Sequence, residues 1–386
     1  MTAMVKERTF SERLAIVYPK AIGDFIFALP ALHTIRRALP EAHITLVIKK
    51  KQAPLAEPQK GVLCDEVIAL GGDMSWRRVR RRLAELRVDT VVDMAGNDQS
   101  GLLLAWRGGR RLRPHRDNCK GICALYSLFA ESMPRVAPGT HRVDELLSFA
   151  HHVCGADPLH SFRLELPPAA VKASEAMIER FSLRSGEVVA LNIGASRDTK
   201  RWPAAHFKTL AEGLIERGLR VVLMGAATFK SDGHYDRHTI AQFREQGLVD
   251  DKSCVDLISD DTLSPVVHLQ RDTHFLRYSG VPLVVVGNDT GAMHIAGSVG
   301  EDAQRKTVSL FGPTHWGRYA PYDPSHSYPD KPDGEWNRVL CADVDCLPTG
   351  DTEACRCYRR GCGHKRCMTE LHPDRVLAAV MDRVKT

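Results

Sequence analysis

No apolar run in this 386-residue sequence approaches the roughly 20 residues needed to cross a bilayer; the longest candidate, Phe25-Ile26-Phe27-Ala28-Leu29, is cut off by Pro30. The opening stretch Met1 to Ser11 is polar and has no long apolar segment behind it, so no secretory signal is read. Short-period repeats are missing. The Gly-x-Gly-x-x-Gly fingerprint and the Walker A loop are missing too, which argues against a kinase or an ATPase. What remains is 44% hydrophobic and 26% charged, the composition of a globular protein and not of a disordered or fibrous one. The length suits two to three domains, with a core large enough to fold without disulfides. A soluble, cytoplasmic protein is expected.

The net charge of +6 is unevenly spread: residues 1–165 carry 25 Lys and Arg against 18 Asp and Glu, and the remainder carries 28 against 29. The excess is densest in Arg77-Arg78-Val79-Arg80-Arg81-Arg82 and from Arg107 through Arg116. Either these are solvated faces, or they form a surface for an anionic partner such as a lipid membrane or a phosphorylated acceptor. No recognised nucleic-acid motif accompanies them, so a nucleic-acid partner is not expected. Of 11 cysteines, Cys64, Cys119, Cys123, Cys154 and Cys254 are scattered and read as buried small hydrophobes. Six crowd into 27 residues: Cys341, Cys346, Cys355, Cys357, Cys362 and Cys367. Without a secretion signal, such clustering suggests a metal more than disulfides. Cys346, Cys355, Cys357 and Cys362 are the candidate ligands of a structural zinc or iron, although their spacing lacks two separated Cys-x₂-Cys pairs.

Apolar runs bounded by Gly, Pro and Asp place strands at 13–18, 43–48, 67–70 and 89–94, with a loop over 19–24, a helix from there to about 39, and a second helix at 76–87. Residues 100–165 are less regular, with a helix at 141–154. Leu166-Pro167-Pro168 reads as a hinge. The pattern then restarts, with strands at 188–193, 220–225, 283–287 and 307–311, helices near 169–182 and 204–217, and a further helix after Asn288-Asp289-Thr290-Gly291. Residues 319–372 read as mostly loop, and a last helix covers about 373–384. Strands alternating with helices imply parallel βαβ units, so two such domains in tandem are expected. Ligands of parallel sheets bind beyond the carboxyl ends of the strands, which directs attention to the loops just after each strand.

Three of those loops carry suitable chemistry. In Lys20-Ala21-Ile22-Gly23-Asp24, Asp24 is either a helix cap or a carboxylate serving as general base. In Gly194-Ala195-Ser196-Arg197-Asp198-Thr199-Lys200-Arg201-Trp202-Pro203, small and hydroxyl residues followed by Lys200 suit a bound phosphate. Asn288-Asp289-Thr290-Gly291-Ala292-Met293-His294 leads from a strand into a helix, whose free N–H groups at Thr290 and Gly291 suit an anion. A fourth loop, Leu310-Phe311-Gly312-Pro313-Thr314-His315-Trp316, reads as a wall of the same cleft.

The stretches Gly23-Asp24 with Leu29-Pro30-Ala31-Leu32, Lys200-Arg201-Trp202-Pro203, Asp289-Thr290-Gly291 with Met293-His294, and Phe311-Gly312-Pro313-Thr314 occur in one order. Together they resemble glycosyltransferase family 9, the ADP-heptose:lipopolysaccharide heptosyltransferases, over roughly residues 13–383. The tail from Cys367-Met368 to Pro373 and Val376 is also similar. The resemblance implies an α/β GT-B fold, with two Rossmann-like parallel-sheet domains facing a central cleft. It further implies an acceptor-binding domain over 1–166, a nucleotide-sugar-binding domain over 167–372 carrying the Cys-rich loop 341–367, and a final helix over 373–386 packing back on the first domain. The chemistry implied is inverting transfer of heptose from ADP-heptose to a lipopolysaccharide inner-core hydroxyl, with no cofactor required for catalysis. Asp24 matches the base and Lys200 the lysine near the phosphates. The donor-binding set is Gly194, Ser196, Lys200, Trp202, Gly225, Asp289, Thr290, Gly291 and His294. The expected partners are an ADP-sugar and an anionic glycolipid acceptor, with peripheral contact at the inner membrane. Related heptosyltransferases that modify autotransporter proteins and bind iron through cysteines are the alternative, as is a family 9 transferase using another nucleotide-sugar.

Two stretches depart from the family pattern. The family often has an acidic residue shortly after the position of Gly225; here Phe229-Lys230-Ser231-Asp232 follows, and Asp232 alone is available. Residues 260–282 place His268, Arg271, Asp272 and His274 where an apolar helix is common.

Overall fold

The computed structural model describes residues 12–97, 100–101, 109–115, 128–226, 232–300, 305–325, 333–349 and 354–385. Arg107, Arg116, Cys119, Cys123 and residues 229–231 of the earlier expectations lie outside the described residues, as does the side chain of Asp232. The chain divides into two units. One comprises 1–136 with 143–164, and the other comprises 137–142 with 165–386.

The first unit holds six strands: β1 (Arg13–Val17), β2 (His43–Lys49), β3 (Glu66–Leu70), β4 (Thr90–Asp93), β5 (Arg110–Pro114) and β6 (Glu131–Met133). They are parallel and lie in the order β3-β2-β1-β4-β5-β6. The central strand β1 is built from Leu14, Ala15, Ile16 and Val17, all fully buried, as expected for a strand covered on both faces. The helix Ile22–Ala38 follows β1 and buries Phe25, Ile26, Phe27 and Leu29. Pro30 sits inside this helix without ending it. The Thr34 hydroxyl donates to the Pro30 carbonyl. The helix Trp76–Glu85 buries Val79 and Leu83 and turns its arginines outward. β5 and β6 lie in the stretch that reads as irregular in sequence. β5 is Arg-Arg-Leu-Arg-Pro, and one apolar side chain in five gives no strand periodicity.

The second unit repeats the plan. Its strands are β7 (Val188–Asn192), β8 (Arg220–Met224), β9 (Cys254–Asp256), β10 (Pro282–Asn288), β11 (Lys306–Phe311) and β12 (Asn337–Cys341), in the order β12-β11-β10-β7-β8-β9. Counted from its own first strand this is again 3-2-1-4-5-6, the doubly wound order in which ligands bind where the winding reverses. That point lies between β7 and β10, which pair directly. β12 falls within the region expected to be mostly loop.

The closing helix Pro373–Lys385 buries its apolar face within the second unit. Val376, Ala379 and Val380 join a core cluster with Leu210, Leu214, Val284 and Val308. It lies against the helix Ala204–Ile215, where a Cβ on Gly213 would come 2.9 Å from Leu377, so glycine permits the close approach. Burying a side chain of this kind stabilises by about 1.5–3 kcal/mol, which fixes the helix to this sheet. Among the described residues no helix is long and apolar enough to cross a membrane.

Candidate active site

The loops leaving β7 and β10 meet where the winding reverses. Two strand-end asparagines join them. Asn288 donates through Nδ2 to the carbonyls of Ile193 (3.2 Å) and Gly194 (2.9 Å), while its Oδ1 accepts from the Trp202 N–H at 2.9 Å. Asn192 donates to the Thr290 hydroxyl at 2.9 Å. Hydrogen bonds that span two loops fix their spacing before any ligand arrives.

Within that frame three side chains converge on the Asp289 carboxylate. The Lys200 ammonium lies 2.5 Å from Oδ2, and the Thr314 hydroxyl donates to the same oxygen at 2.5 Å. The His294 Nε2 is 3.7 Å from Oδ1. All four residues are buried. Burial alone would raise the Asp289 pKa; Lys200, His294 and Thr314 outweigh it and hold the carboxyl below its ordinary value. The result is an ammonium fixed in a poorly solvated place at the carboxyl end of the sheet, arranged before binding to meet negative charge. The loops leaving β7, β10 and β11 each contribute one or more of these residues, as expected from their sequences.

Other expected residues divide. Thr290 is the N-cap residue and Gly291 the first residue of the seven-residue helix Gly291–Gly297, and Ser196 is exposed. Trp202 is fully buried, packs edge-on against Phe207 at 4.8 Å, and donates its indole N–H to the Leu371 carbonyl at 2.7 Å. Its side chain belongs to the core of the second unit.

Gly194 and Gly225 face a protein group that sequence reasoning missed. A Cβ on either would lie 2.8 or 2.9 Å from Oδ2 of Asp236. That carboxylate, fully buried, accepts from the Ala226 N–H at 2.9 Å and pairs with Arg201 at 2.6 Å. Arg201 also donates to the Ala195 carbonyl at 3.1 Å. Asp236 thus ties the loop after β7 to the loop after β8. No spacing motif marks it in the sequence; the one available hint is that two strand-end glycines must be facing something.

Asp24 belongs to the first unit. It lies in the first turn of the helix Ile22–Ala38, is half-buried, and accepts from the Ala21 N–H at 3.1 Å. Ala21 in turn accepts from Gln52 at 3.2 Å. The capping role considered for this residue is therefore present. It occupies one carboxylate oxygen, Oδ2.

The four candidate metal ligands do not assemble into a site. Among the described residues no group of three His, Cys, Asp or Glu is placed to hold a metal ion. The Cys355 thiol donates to the Cys346 carbonyl at 2.6 Å. Burial, with Cys357 and Cys346 nearby, pushes Cys355 up to about 11. Cys362 is held below its ordinary value, chiefly because it accepts from the backbone N–H groups of Lys365 and His364. The Cys-rich segment is instead bound to the loops of the site: Cys355 N–H donates to the Pro313 carbonyl at 2.8 Å, Ala354 bridges Thr314, and Lys365 pairs with Asp198.

Residues 76–328 match the family model described as glycosyltransferase family 9 (heptosyltransferase). Lipopolysaccharide heptosyltransferase 1 of Pseudomonas aeruginosa is 25% identical over 94% of this chain and 96% of its own. Among solved structures, a family 9 glycosyl transferase from Veillonella parvula superposes with a TM-score of 0.73 at 19% identity, covering 97% of each chain. The E. coli ADP-heptose lps heptosyltransferase II gives 0.65 at 19% identity, covering 97% of this chain and 98% of that one. At such identities the structures show the fold alone, and that fold is GT-B.

Proposed function

Since the chain belongs to glycosyltransferase family 9 and is therefore a transferase, we propose that it moves heptose from ADP-heptose, with inversion, to a hydroxyl of a lipopolysaccharide inner core. The observation that carries this reading is the buried Lys200–Asp289–Thr314–His294 cluster at the reversal point of the second sheet. A leaving ADP gathers charge on its β-phosphate, and a prearranged ammonium in a dry site is the group best suited to accept it. The Pseudomonas relative is named as a lipopolysaccharide heptosyltransferase, and the E. coli structure as an ADP-heptose enzyme, which supports the choice of sugar and acceptor.

The second unit takes the nucleotide-sugar in this reading, and the first takes the acceptor. The acceptor oxygen attacks the anomeric carbon as its bond to the β-phosphate oxygen breaks, the acceptor proton passes to Asp24, and ADP departs. The first turn of the helix Ile22–Ala38 holds Asp24 through the Ala21 N–H, so its free oxygen keeps one orientation. The arginines of the helix Trp76–Glu85 suit an acceptor embedded in an anionic membrane face: Arg77, Arg78, Arg80 and Arg81 are exposed. Arg82 is instead engaged with Glu66 and Glu85.

The test is Asp24→Asn with ADP release and ADP binding measured side by side. Loss of a general base costs about 10²–10⁴ in rate. A drop of that size with ADP affinity unchanged is expected. Near-normal turnover by the folded variant would refute the assignment of the base.

A further inference from the structure

The ring of Tyr358 stands beside two cations of the loop after β7. Its centroid is 4.7 Å from the Arg197 guanidinium carbon and 5.7 Å from the Lys200 ammonium, both within cation–π range. Tyr358 is carried by the short helix Arg356–Arg360, and the segment around it is pinned to the site from several sides. Cys355 and Ala354 hold Pro313 and Thr314, next to the carboxylate that anchors Lys200. Lys365 holds Asp198. Further along, Met368 and Cys367 press on Gly312, where a Cβ would come within 2.5 and 3.0 Å of their sulfur atoms.

We propose that Tyr358 is a positioning residue of the diphosphate site. Its ring sets Arg197 and Lys200 as a pair of cations, and Arg197 is a second ligand for the phosphates of a nucleoside-diphosphate donor. The ring is neutral. A further carboxylate would hold these side chains equally well but would cancel more of the charge that a diphosphate needs. The face of an aromatic ring attracts both cations without adding a counter-charge. Arg197 is exposed, so an incoming anion reaches it. Lys200 is buried on Asp289, so it needs a second contact that does not neutralise it further. The Cys-rich segment is thus the arm that presents the ring.

The proposal rests on the donor-site reading above, and two probes separate them. ADP tests the reading together with the proposal, whereas inorganic pyrophosphate tests the cation pair alone. Binding of each is measured by calorimetry for wild type, Tyr358→Leu, Tyr358→Phe and Arg197→Gln, with melting temperatures as the folding control. Tyr358→Leu is expected to weaken both probes about five- to thirtyfold, through loss of the two cation–π contacts. Tyr358→Phe, which keeps the ring, is expected to restore most of the loss. Arg197→Gln, at an exposed position, is expected to weaken both probes and to flatten their dependence on salt. Pyrophosphate binding that depends on Tyr358 and Arg197, without ADP binding, would keep the cation pair and discard the donor reading. Overturning results are wild-type affinity in Tyr358→Leu or in Arg197→Gln, a Phe variant as weak as the Leu variant, or no binding of either probe to wild type.

Discussion

Asp289→Asn isolates the charge at the centre of the site. Asparagine keeps the shape and an oxygen to accept from Thr314, and removes the negative charge facing Lys200. The Lys200 and Asp289 side chains are only 10% and 5% exposed, so the ammonium would be left buried beside a neutral amide. Breaking a buried pair from one side costs about 3–5 kcal/mol. In a unit of roughly 220 residues each kcal/mol moves the melting temperature by about 2–4 °C, so a fall on the order of 10 °C is expected. Adding Lys200→Met should recover part of it, because the stranded charge is then gone. The assay is a double-mutant cycle followed by thermal unfolding. pH supplies an independent check. Asp289 titrates below its ordinary 3.8, so its contribution is present above that value and is lost as pH falls through the lower folded one. The gap between wild type and Asp289→Asn should therefore close in strong acid. The reasoning is refuted if Asp289→Asn melts within 2 °C of wild type, or if the double variant loses the sum of the two single losses.

Lys200→Ala should lower turnover by about 10²–10³ through lost stabilisation of the leaving group, as read by ADP release at saturating donor. Burial holds His206, His274 and His315 below the ordinary histidine value, with His372 adding to the effect at His206 and Arg318 at His315. The unfolded chain therefore takes up protons first, and stability should decline as pH falls from about 7 through 6.5, measured by urea unfolding across that range. Reversing Arg77, Arg80 and Arg81 to Glu should raise the acceptor KM and abolish salt-sensitive binding to anionic vesicles while leaving ADP affinity unchanged. Vesicle binding indifferent to both changes would reduce these arginines to a solvated face.

The strands most legible in the sequence are those buried on both faces. Leu14 to Val17, Val188 to Leu191 and Leu283 to Val286 are unbroken apolar runs because helices cover both sides of the sheet. Of the strands away from the sheet centres, β3 was legible but β5, β6, β9 and β12 were not. β6 and β9 are three residues each, and β5 is mostly arginine, so neither length nor periodicity marks them. The helix Pro265–Arg277 reads as unusually polar, and the structure buries that polarity: Arg271 reaches Asp272, Asp260 and the Leu257 carbonyl. Lys200, Asp289 and His294 were legible because each sits at a fixed offset from a strand end. Asp236 and Tyr358 were not, since they act from a distant helix and from a segment whose cysteines drew attention away from its tyrosine. The full burial of Trp202 was not legible, because adjacency to Lys200 in sequence does not fix the side on which a side chain lies.

The Asp236 carboxylate fills the space that side chains at positions 194 and 225 would otherwise occupy. Those three positions behave as one lock with two keyways: a methyl group at either glycine has room only if the carboxylate is shortened or withdrawn. Changes there are therefore coupled by volume before any question of charge arises. A Gly194→Ala or Gly225→Ala substitution would displace the partner of Arg201 and carry the disturbance along the loop toward Lys200. Substitution in the loops after β7 and β8 is confined in the same way. Either loop is free to vary its exposed residues, such as Ser196, but neither can thicken its backbone turn unless the helix on the far side gives way with it.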